Sequence, residues 1–341
     1  MKILHSKIIG SGNNHVVILH GLLGMGDNWK SVANKLSNDD SYCIHLIDQR
    51  NHGKSFHSEN INYVLMVDDL HNYLNHHEID KCFLIGHSMG GKTAMNFSML
   101  HAEYLKKLII VDIAPKKYEP KFNYLFLALK LLNLGNYSSR KEIEIELTKT
   151  VSEKSLIFFL LKNIGRDSNN KFFFKANVSV LHQNLVVLME KLIIDEKILI
   201  DTFFIKGEKS AYINEKDVIL IKDKFPNLYF DFCPTVYAGE LIDKNSAHQE
   251  YFKEFNNSFP KHEVFFWTGE KVISEKMGIS SQEHLQDFAN TSIAIWDNYF
   301  TVDSCPKKLN LSFFDYLQHE FIFSKDCYLV NICANLLSWV P

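Results

Sequence analysis

The chain has 341 residues, of which 46% are hydrophobic and 23% are charged, so it can bury one large core or two smaller ones. Its formal net charge of −3, with histidine counted as neutral, argues against nucleic acid or an anionic membrane surface as a partner. No run approaches the roughly 18 apolar residues of a membrane-spanning helix, and residues 1–12 lack the apolar stretch of a signal peptide.

The six cysteines are widely separated and show neither a C-x-x-C pair nor a metal-ligand spacing. They are Cys43, Cys82, Cys233, Cys305, Cys327 and Cys333. We interpret them as reduced, buried thiols. The sequence therefore predicts a soluble cytoplasmic protein.

The first 115 residues alternate between short apolar runs and helical patterns. The apolar runs predict strands at residues 15–19, 42–47, 82–85 and 108–112. Between them, helices are predicted at residues 28–36, 64–75 and 91–100. This alternation is typical of an α/β fold with a doubly wound, mostly parallel sheet.

From residue 118 to residue 199 the pattern becomes helical and rich in Phe and Leu, which predicts a helical cap inserted after a strand. A strand at 202–205 and a helix at 215–225, ending before Pro226, follow the cap. Further strands are predicted near residues 228–232, 263–267 and 292–296.

The strongest local motif is GHSMGG at residues 86–91, which matches G-x-S-x-G. It follows a predicted strand and precedes a predicted helix, which is the context that a nucleophile elbow requires. Its glycines leave room for a tight turn that holds Ser88 in a strained conformation. The sequence therefore predicts Ser88 as a nucleophile; the alternative is an ordinary glycine-rich turn.

A second motif, HGLLG at residues 20–24, follows the strand at 15–19, where this fold places an oxyanion donor. The backbone N–H groups of Leu22 and Met89 are the predicted oxyanion hole. His20 and His52 lie near this site, and we interpret both as turn-stabilising hydrogen-bonding residues and not as bases.

Residues 17–115 resemble the α/β-hydrolase superfamily, and especially the bacterial YbfF-type esterases. The matching stretches are HGLLG (20–24), DNW (27–29), DQRNHGKS (48–55), HSMGGKTAM (87–95) and VDIAP (111–115). The resemblance implies hydrolysis of small acyl esters, and of acyl-CoA thioesters as an alternative, without a metal or organic cofactor.

A serine nucleophile needs a histidine base and an acid that orients it. The resemblance implies Asp112 as the acid, because these esterases use the strand end that Asp112 occupies. In the later position that is commoner in the superfamily, Ala211 stands in place of an aspartate, and Glu208 is the fallback.

The histidine loop of the resembled family, expected shortly after residue 227, is not found in the sequence. The histidines beyond Asp112 are His182, His248, His262, His284 and His319, and none follows a glycine. His248 lies closest to the expected place and is the candidate base.

From about residue 229 to 341 the chain instead resembles the C-terminal part of the barrel of the O-GlcNAcase and hyaluronidase-like N-acetylglucosaminidase family. The matching stretches are FCPTVY (232–237), VFFWTG (264–269), IWDNY (295–299) and YLVN (328–331). The resemblance implies that Asn298, Asp303 and Asn331 correspond to sugar-contacting residues and that Trp296 lines the pocket.

The barrel in this tail is incomplete, because three strand–helix units cannot close eight strands. The acid pair of that family would lie earlier in its chain. The adjacent pair Asp68 and Asp69 falls in a predicted helix, and we interpret it as a solvated helix face. Residues 1–228 are thus predicted to form a hydrolase domain, and residues 229–341 a partial glycosidase-like segment.

Such a junction would arise from a gene fusion, a decayed gene or an artificial chimera. Three functions are compatible with the sequence. The first is a serine esterase that is impaired by loss of its histidine loop or takes its base from elsewhere. The second is a non-catalytic binding protein of the same fold, and the third is a remnant sugar-binding or glycosidase role of the tail.

Overall fold

The computed structural model describes residues 2–37, 39–207 and 210–233, with side chains described up to residue 229. The strands in this part of the chain are β1 (Ser6–Ile9), β2 (Asn14–Leu19), β3 (Tyr42–Ile47), β4 (Cys82–His87), β5 (Leu105–Val111), β6 (Ile164–Arg166), β7 (Phe172–Phe174), β8 (Thr202–Gly207) and β9 (Leu228–Cys233). The helices are α1 (Lys30–Leu36), α2 (Tyr63–His76), α3 (Met89–Leu100), α4 (Asn123–Leu131), α5 (Arg140–Leu147), α6 (Lys154–Lys162), α7 (Val178–Gln183), α8 (Leu185–Met189) and α9 (Glu215–Lys224).

Seven of the strands form one sheet in the order β1-β3-β2-β4-β5-β8-β9. Only β1 is antiparallel to its neighbour; all other pairs are parallel. The predicted α/β fold with a mostly parallel sheet is confirmed. The edge strand β1 was not predicted, because its four residues are partly or fully exposed, show no alternation and give little sequence signal.

The main core lies between the sheet and the helices α2, α3 and α9. The central strands are apolar on both faces; Val16 and Val17 of β2, for example, are both fully buried. Burying each such side chain contributes about 1.5–3 kcal/mol relative to exposure. This core fixes the strand ends from which the candidate site is built.

The insertion between β5 and β8 contains α4 to α8, as the predicted helical cap at 118–199 requires, and also a two-stranded hairpin of β6 and β7. The cap has its own apolar core, which includes Phe126, Leu160 and Leu181 and extends to Leu23 and Met89 of the sheet region. The hairpin was not predicted, because strands of three residues are too short to show period-two alternation.

The interpretation of Asp68 and Asp69 as a solvated pair holds for Asp68 only. Asp69 is buried and accepts hydrogen bonds from both Nε and Nη2 of Arg50, the latter at 2.8 Å. Arg50 also donates to the carbonyls of Asn60 and Leu65. The ion pair of Arg50 and Asp69 therefore connects the loop after β3 to α2.

None of the helices in the described ranges is long and apolar enough to cross a membrane. The predicted barrel strands near 263–267 and 292–296 lie outside the described residues, as do the predicted tail residues, and the division of the chain at residue 228 remains a prediction.

Candidate active site

Ser88 lies in the sharp turn between β4 and α3, with backbone angles of φ 50° and ψ −116°. Few non-glycine residues adopt this conformation, and such strain persists only where the surrounding structure enforces it. Here the Ser88 amide donates to the Val111 carbonyl at 3.1 Å, and the Lys92 amide donates to the Ser88 carbonyl at 3.0 Å. The residue is half-buried, as a nucleophile elbow requires.

The turn is possible because Gly86 and Gly90 lack side chains. A Cβ on Gly86 would lie 2.4 Å from the Gly90 carbonyl oxygen, and a Cβ on Gly90 would lie 2.4 Å from the Leu19 carbonyl oxygen. Both neighbours are backbone atoms, which cannot move away without displacing a strand or a helix.

We expect Gly90→Ala to lower the free energy of unfolding by about 1–3 kcal/mol, because overpacking against backbone must displace β2 or α3. Urea unfolding monitored by circular dichroism measures this loss. Gly135→Ala is the matched control, since its Cβ would meet only the Asn133 side chain, at 3.5 Å. Equal stability of the two variants would contradict the turn geometry.

Asp112 directly follows β5, and His87 and Val111 are register partners, so Ser88 and Asp112 occupy neighbouring strand ends. Four non-glycine residues with positive φ lie at these carboxyl ends: Leu23, Asn51, Ser88 and Asp112. Backbone strain of this kind concentrates at functional sites. The carboxyl edge of β2 to β5 is therefore the candidate site.

The Asp112 side chain is 2% exposed. One carboxylate oxygen accepts from the Ser210 hydroxyl at 2.8 Å, and the other accepts from the Gly207 amide at 3.3 Å. Burial raises the Asp112 pKa to about 6 despite these two hydrogen bonds. Ser210 belongs to the loop that carries Ala211, so the loop provides a hydroxyl beside Asp112 in place of a second acid.

The predicted oxyanion donors lie in two different elements. Met89 is the first residue of α3, where the backbone N–H has no intrahelical acceptor. Leu22 lies in the turn closed by the hydrogen bond from the Gly24 amide to the Gly21 carbonyl at 2.9 Å, and within the described ranges its own amide has no acceptor. Two unused amides beside a serine can bind a negatively charged oxygen.

His20 and His52 are held by backbone groups on both ring nitrogens. The Gln49 amide donates to Nε2 of His20 at 3.0 Å, and Nδ1 of His20 lies 2.8 Å from the Gly21 carbonyl. The Leu23 amide donates to Nε2 of His52 at 3.2 Å, and Nδ1 lies 2.9 Å from the Arg50 carbonyl. Burial lowers the pKa of His20 to about 4 and that of His52 to about 3, so both rings are neutral turn supports.

The cap contributes a contact that the sequence analysis missed. Asn163, fully buried at the end of α6, donates from Nδ2 to the Leu23 carbonyl at 2.6 Å. With His52 on the Leu23 amide, both polar groups of this strained residue are held. The two partners are 140 residues apart in the sequence, so no local pattern could have indicated the contact.

A pocket opens beside Ser88 and encloses about 820 Å³, counting the space at its mouth. Its apolar walls come from the turn at residues 21–24, from the segment before α1, and from α4 and α6 of the cap with the residue before α4. The apolar residues that line it are Leu22, Leu23, Trp29, Phe122, Leu125, Leu156 and Phe159. His87 and Lys162 also line it. Apolar walls of this kind suit small, largely apolar ligands.

The base is the component that the described residues do not supply. Within residues 2–37, 39–207 and 210–229, no histidine ring is hydrogen-bonded to Ser88 or Asp112. His87 adjoins Ser88, and burial lowers its pKa to about 4; its Nε2 is buried without a partner in the same part of the chain. Glu208 and the candidate base His248 lie outside the described residues. So do the tail candidates Trp296, Asn298, Asp303 and Asn331.

Two family models match the chain. Residues 14–264 match the α/β-hydrolase fold family, and residues 205–335 match the β-N-acetylglucosaminidase family. The second match covers the region in which the sequence resembles that family, and it overlaps the first.

Individual esterases and lipases are similar to this chain over about two-thirds of its length. The sn-1-specific diacylglycerol lipase ABHD11 of Danio rerio is 33% identical over 67% of this chain and 75% of its own length. Esterase YbfF of Escherichia coli is 33% identical over 60% of this chain and 78% of its own length.

A solved structure, described as a marine microorganism esterase, aligns with a TM-score of 0.66 and 38% identity. It covers 69% of this chain and 92% of the esterase. Together with the parallel sheet and the family match over residues 14–264, these similarities show that the chain belongs to the α/β-hydrolase family, with relatives of the esterase and lipase type.

Proposed function

We propose that this protein is a serine hydrolase of esterase type that cleaves small acyl esters, with Ser88 as nucleophile. The observation that carries the proposal is the strained turn at Ser88, which lines an apolar pocket together with Leu22 and is followed by Met89, both residues with unused amides. An ordinary glycine-rich turn would need neither the two unused amides nor the apolar pocket.

In the proposed reaction, the Ser88 oxygen attacks the ester carbonyl while a base takes its proton. The carbonyl oxygen becomes negatively charged and is held by the amides of Leu22 and Met89. Removing one such donor typically costs about 10²- to 10³-fold in rate. The alcohol or thiol leaves, and water then releases the acyl group from Ser88.

Asp112 is the proposed acid that orients the base. Its pKa of about 6 reflects burial of the carboxylate, which outweighs the hydrogen bonds from Ser210 and Gly207 and the charge of Lys206. The imidazolium that forms only after the base has taken the Ser88 proton would be stabilised by the ionised carboxylate at hydrogen-bond distance. The buried carboxylate therefore suits a histidine partner, for which His248 is the proposal from the sequence.

The walls of the pocket support an acyl substrate. Phe122 lies just before α4, Leu125 lies within it, and Leu156 and Phe159 belong to α6. These side chains offer hydrocarbon contacts and no charge to a chain attached to the scissile carbonyl. Short acyl esters fit this description, and acyl-CoA thioesters carry the same acyl group.

The second candidate is a binding protein of this fold without turnover. The observation that favours it is the Asp112 carboxylate, whose hydrogen bonds within the described residues come from Ser210 and Gly207 and not from an imidazole. Without a base, only the weak contribution of the oxyanion hole and of binding would remain, about 10³- to 10⁴-fold over water in serine proteases.

Hydrolysis of p-nitrophenyl esters by the full chain separates the two candidates. We expect turnover of acetyl and butyryl esters, with lower activity on palmitoyl esters and with no dependence on added cofactors. His248→Ala should then abolish turnover while leaving the fold unchanged by circular dichroism. Ligand binding without turnover would support the second candidate, and undiminished turnover by His248→Ala would remove that histidine as the base.

A further inference from the structure

Three potential metal ligands meet on one face of the sheet, toward the amino ends of β2 and β3. His15 and Cys43 are register partners in the parallel pair, and His45 follows Cys43 by two residues, which places it on the same face. The acceptor atoms of the three side chains all lie within 4.8 Å of one another. Ser88 follows the carboxyl end of β4, so this cluster is distinct from the candidate active site.

We propose that His15, Cys43 and His45 form a binding site for a borderline-soft divalent cation, with Zn²⁺ as the best fit. Nδ1 of His15 lies 3.0 Å from Nε2 of His45, and Sγ of Cys43 lies 3.5 Å from the same nitrogen. With Zn–N bonds of about 2.0–2.1 Å and Zn–S bonds of about 2.3 Å, a tetrahedral ion separates two nitrogens by about 3.3 Å and a nitrogen from a sulfur by about 3.6 Å. The two distances to Nε2 of His45 need shifts of only a few tenths of an ångström, whereas Nδ1 of His15 and Sγ of Cys43, which lie within 4.8 Å of each other, would approach to about 3.6 Å.

The orientation of His45 is fixed by a second set of hydrogen bonds. The Tyr73 hydroxyl donates to the Ser6 hydroxyl at 2.6 Å, so its oxygen is available to accept from Nδ1–H of His45 at 2.8 Å. This leaves the lone pair of Nε2 directed at the cluster. A ligating histidine almost always donates its other ring N–H to such a partner.

The imidazoles of His15 and His45 are uncharged at neutral pH, which is the form that binds a metal ion. Burial, with the neighbouring His15 and His77, lowers the pKa of His45 to about 4, and burial together with Lys106 lowers that of His15. Burial raises the pKa of the Cys43 thiol, which therefore stays protonated until a metal binds. Binding releases the thiol proton to water and leaves the ring proton of His15 on Nε2.

His15 is half-buried, whereas Cys43 and His45 are buried, so an ion would enter past His15. Three protein ligands leave the fourth tetrahedral position for water. Without a metal, the same 3.0 Å separation is a hydrogen bond between the two imidazoles. Metal titration distinguishes these two states.

The test is calorimetric titration of the full chain with Zn²⁺, and with Co²⁺ as an absorbing probe. We expect His15→Gln and Cys43→Ala each to weaken Zn²⁺ binding by at least about 100-fold, and Tyr73→Phe to weaken it by roughly 10- to 100-fold. The thiolate-to-cobalt charge-transfer band should be present in the wild type and lost in Cys43→Ala.

The matched controls are Cys82→Ala and His101→Gln. Cys82 is a buried thiol on β4, where it is the register partner of His15. Both controls should bind Zn²⁺ as the wild type does. The proposal is overturned if the wild type takes up no Zn²⁺, or if His15→Gln and Cys43→Ala bind it with unchanged affinity. Circular dichroism of each variant separates loss of binding from loss of folding.

Discussion

Replacing Ser88 with alanine should reduce ester hydrolysis by about 10⁶-fold, the loss seen when the nucleophile is removed from the complete triad of subtilisin. The other parts of the site persist in this variant, because the elbow is held by backbone contacts to Val111 and Lys92. What remains is the contribution of the oxyanion hole and of substrate binding. Steady-state rates on an acetyl ester measure the loss.

Ser98→Ala is the matched control for this experiment. Ser98 lies in the same helix, is buried, and donates only to the Met95 carbonyl at 2.8 Å, so its loss removes a hydroxyl without touching the pocket. It should retain hydrolysis within a few-fold of the wild type. If both variants hydrolyse the ester equally well, Ser88 is not the nucleophile.

Asp112→Asn should have two opposite effects: loss of activity and gain of stability. An asparagine in the place of the acid favours the wrong histidine tautomer, which costs about 10⁴-fold in serine proteases. The fold should tolerate the change, because asparagine accepts the positive φ of 50° and can still pair with Gly207 and Ser210.

The gain in stability follows from the Asp112 pKa, which is about 6 in the folded chain against an ordinary value of 3.8. Between these values the folded state binds more protons than the unfolded state, so the free energy of unfolding falls as pH rises through this window. Above it the ionised, buried carboxylate costs about 3 kcal/mol, at about 1.4 kcal/mol for each factor of ten in the acid constant.

Asp112→Asn removes this cost, so we expect it to be more stable than the wild type by about 1–3 kcal/mol at pH 7, with no difference near pH 4. Urea unfolding across this range measures both values. The exposed Asp80→Asn is the control and should change neither. A variant that is less stable than the wild type at neutral pH would show that the carboxylate is ionised at little cost.

The central part of the fold could be predicted because its signals are local. The strands predicted at 15–19 and 42–47 are observed as β2 and β3 with bounds within one residue, since both are buried apolar runs. The strained turn at Ser88 could be predicted because its sequence has glycines at the fixed offsets from the serine that such a turn needs. The direction and neighbours of its strand then follow from the parallel topology.

The remaining features depend on contacts between distant residues. Asn163 reaches Leu23 across 140 residues, and Asp69 is buried only because Arg50 lies beside it. The grouping of His15 with Cys43 depends on strand register, which cysteine spacing along the chain does not contain. These interactions arise from tertiary packing and have no counterpart in a local motif.

The most direct test of the central claim is covalent labelling of the full chain with a fluorophosphonate, followed by proteolysis and mass spectrometry of the adduct. The proposed site predicts one phosphonylated residue, Ser88, and no adduct in Ser88→Ala. An adduct at another serine, or equal labelling of the wild type and Ser88→Ala, would contradict the assignment of the elbow as the reactive centre.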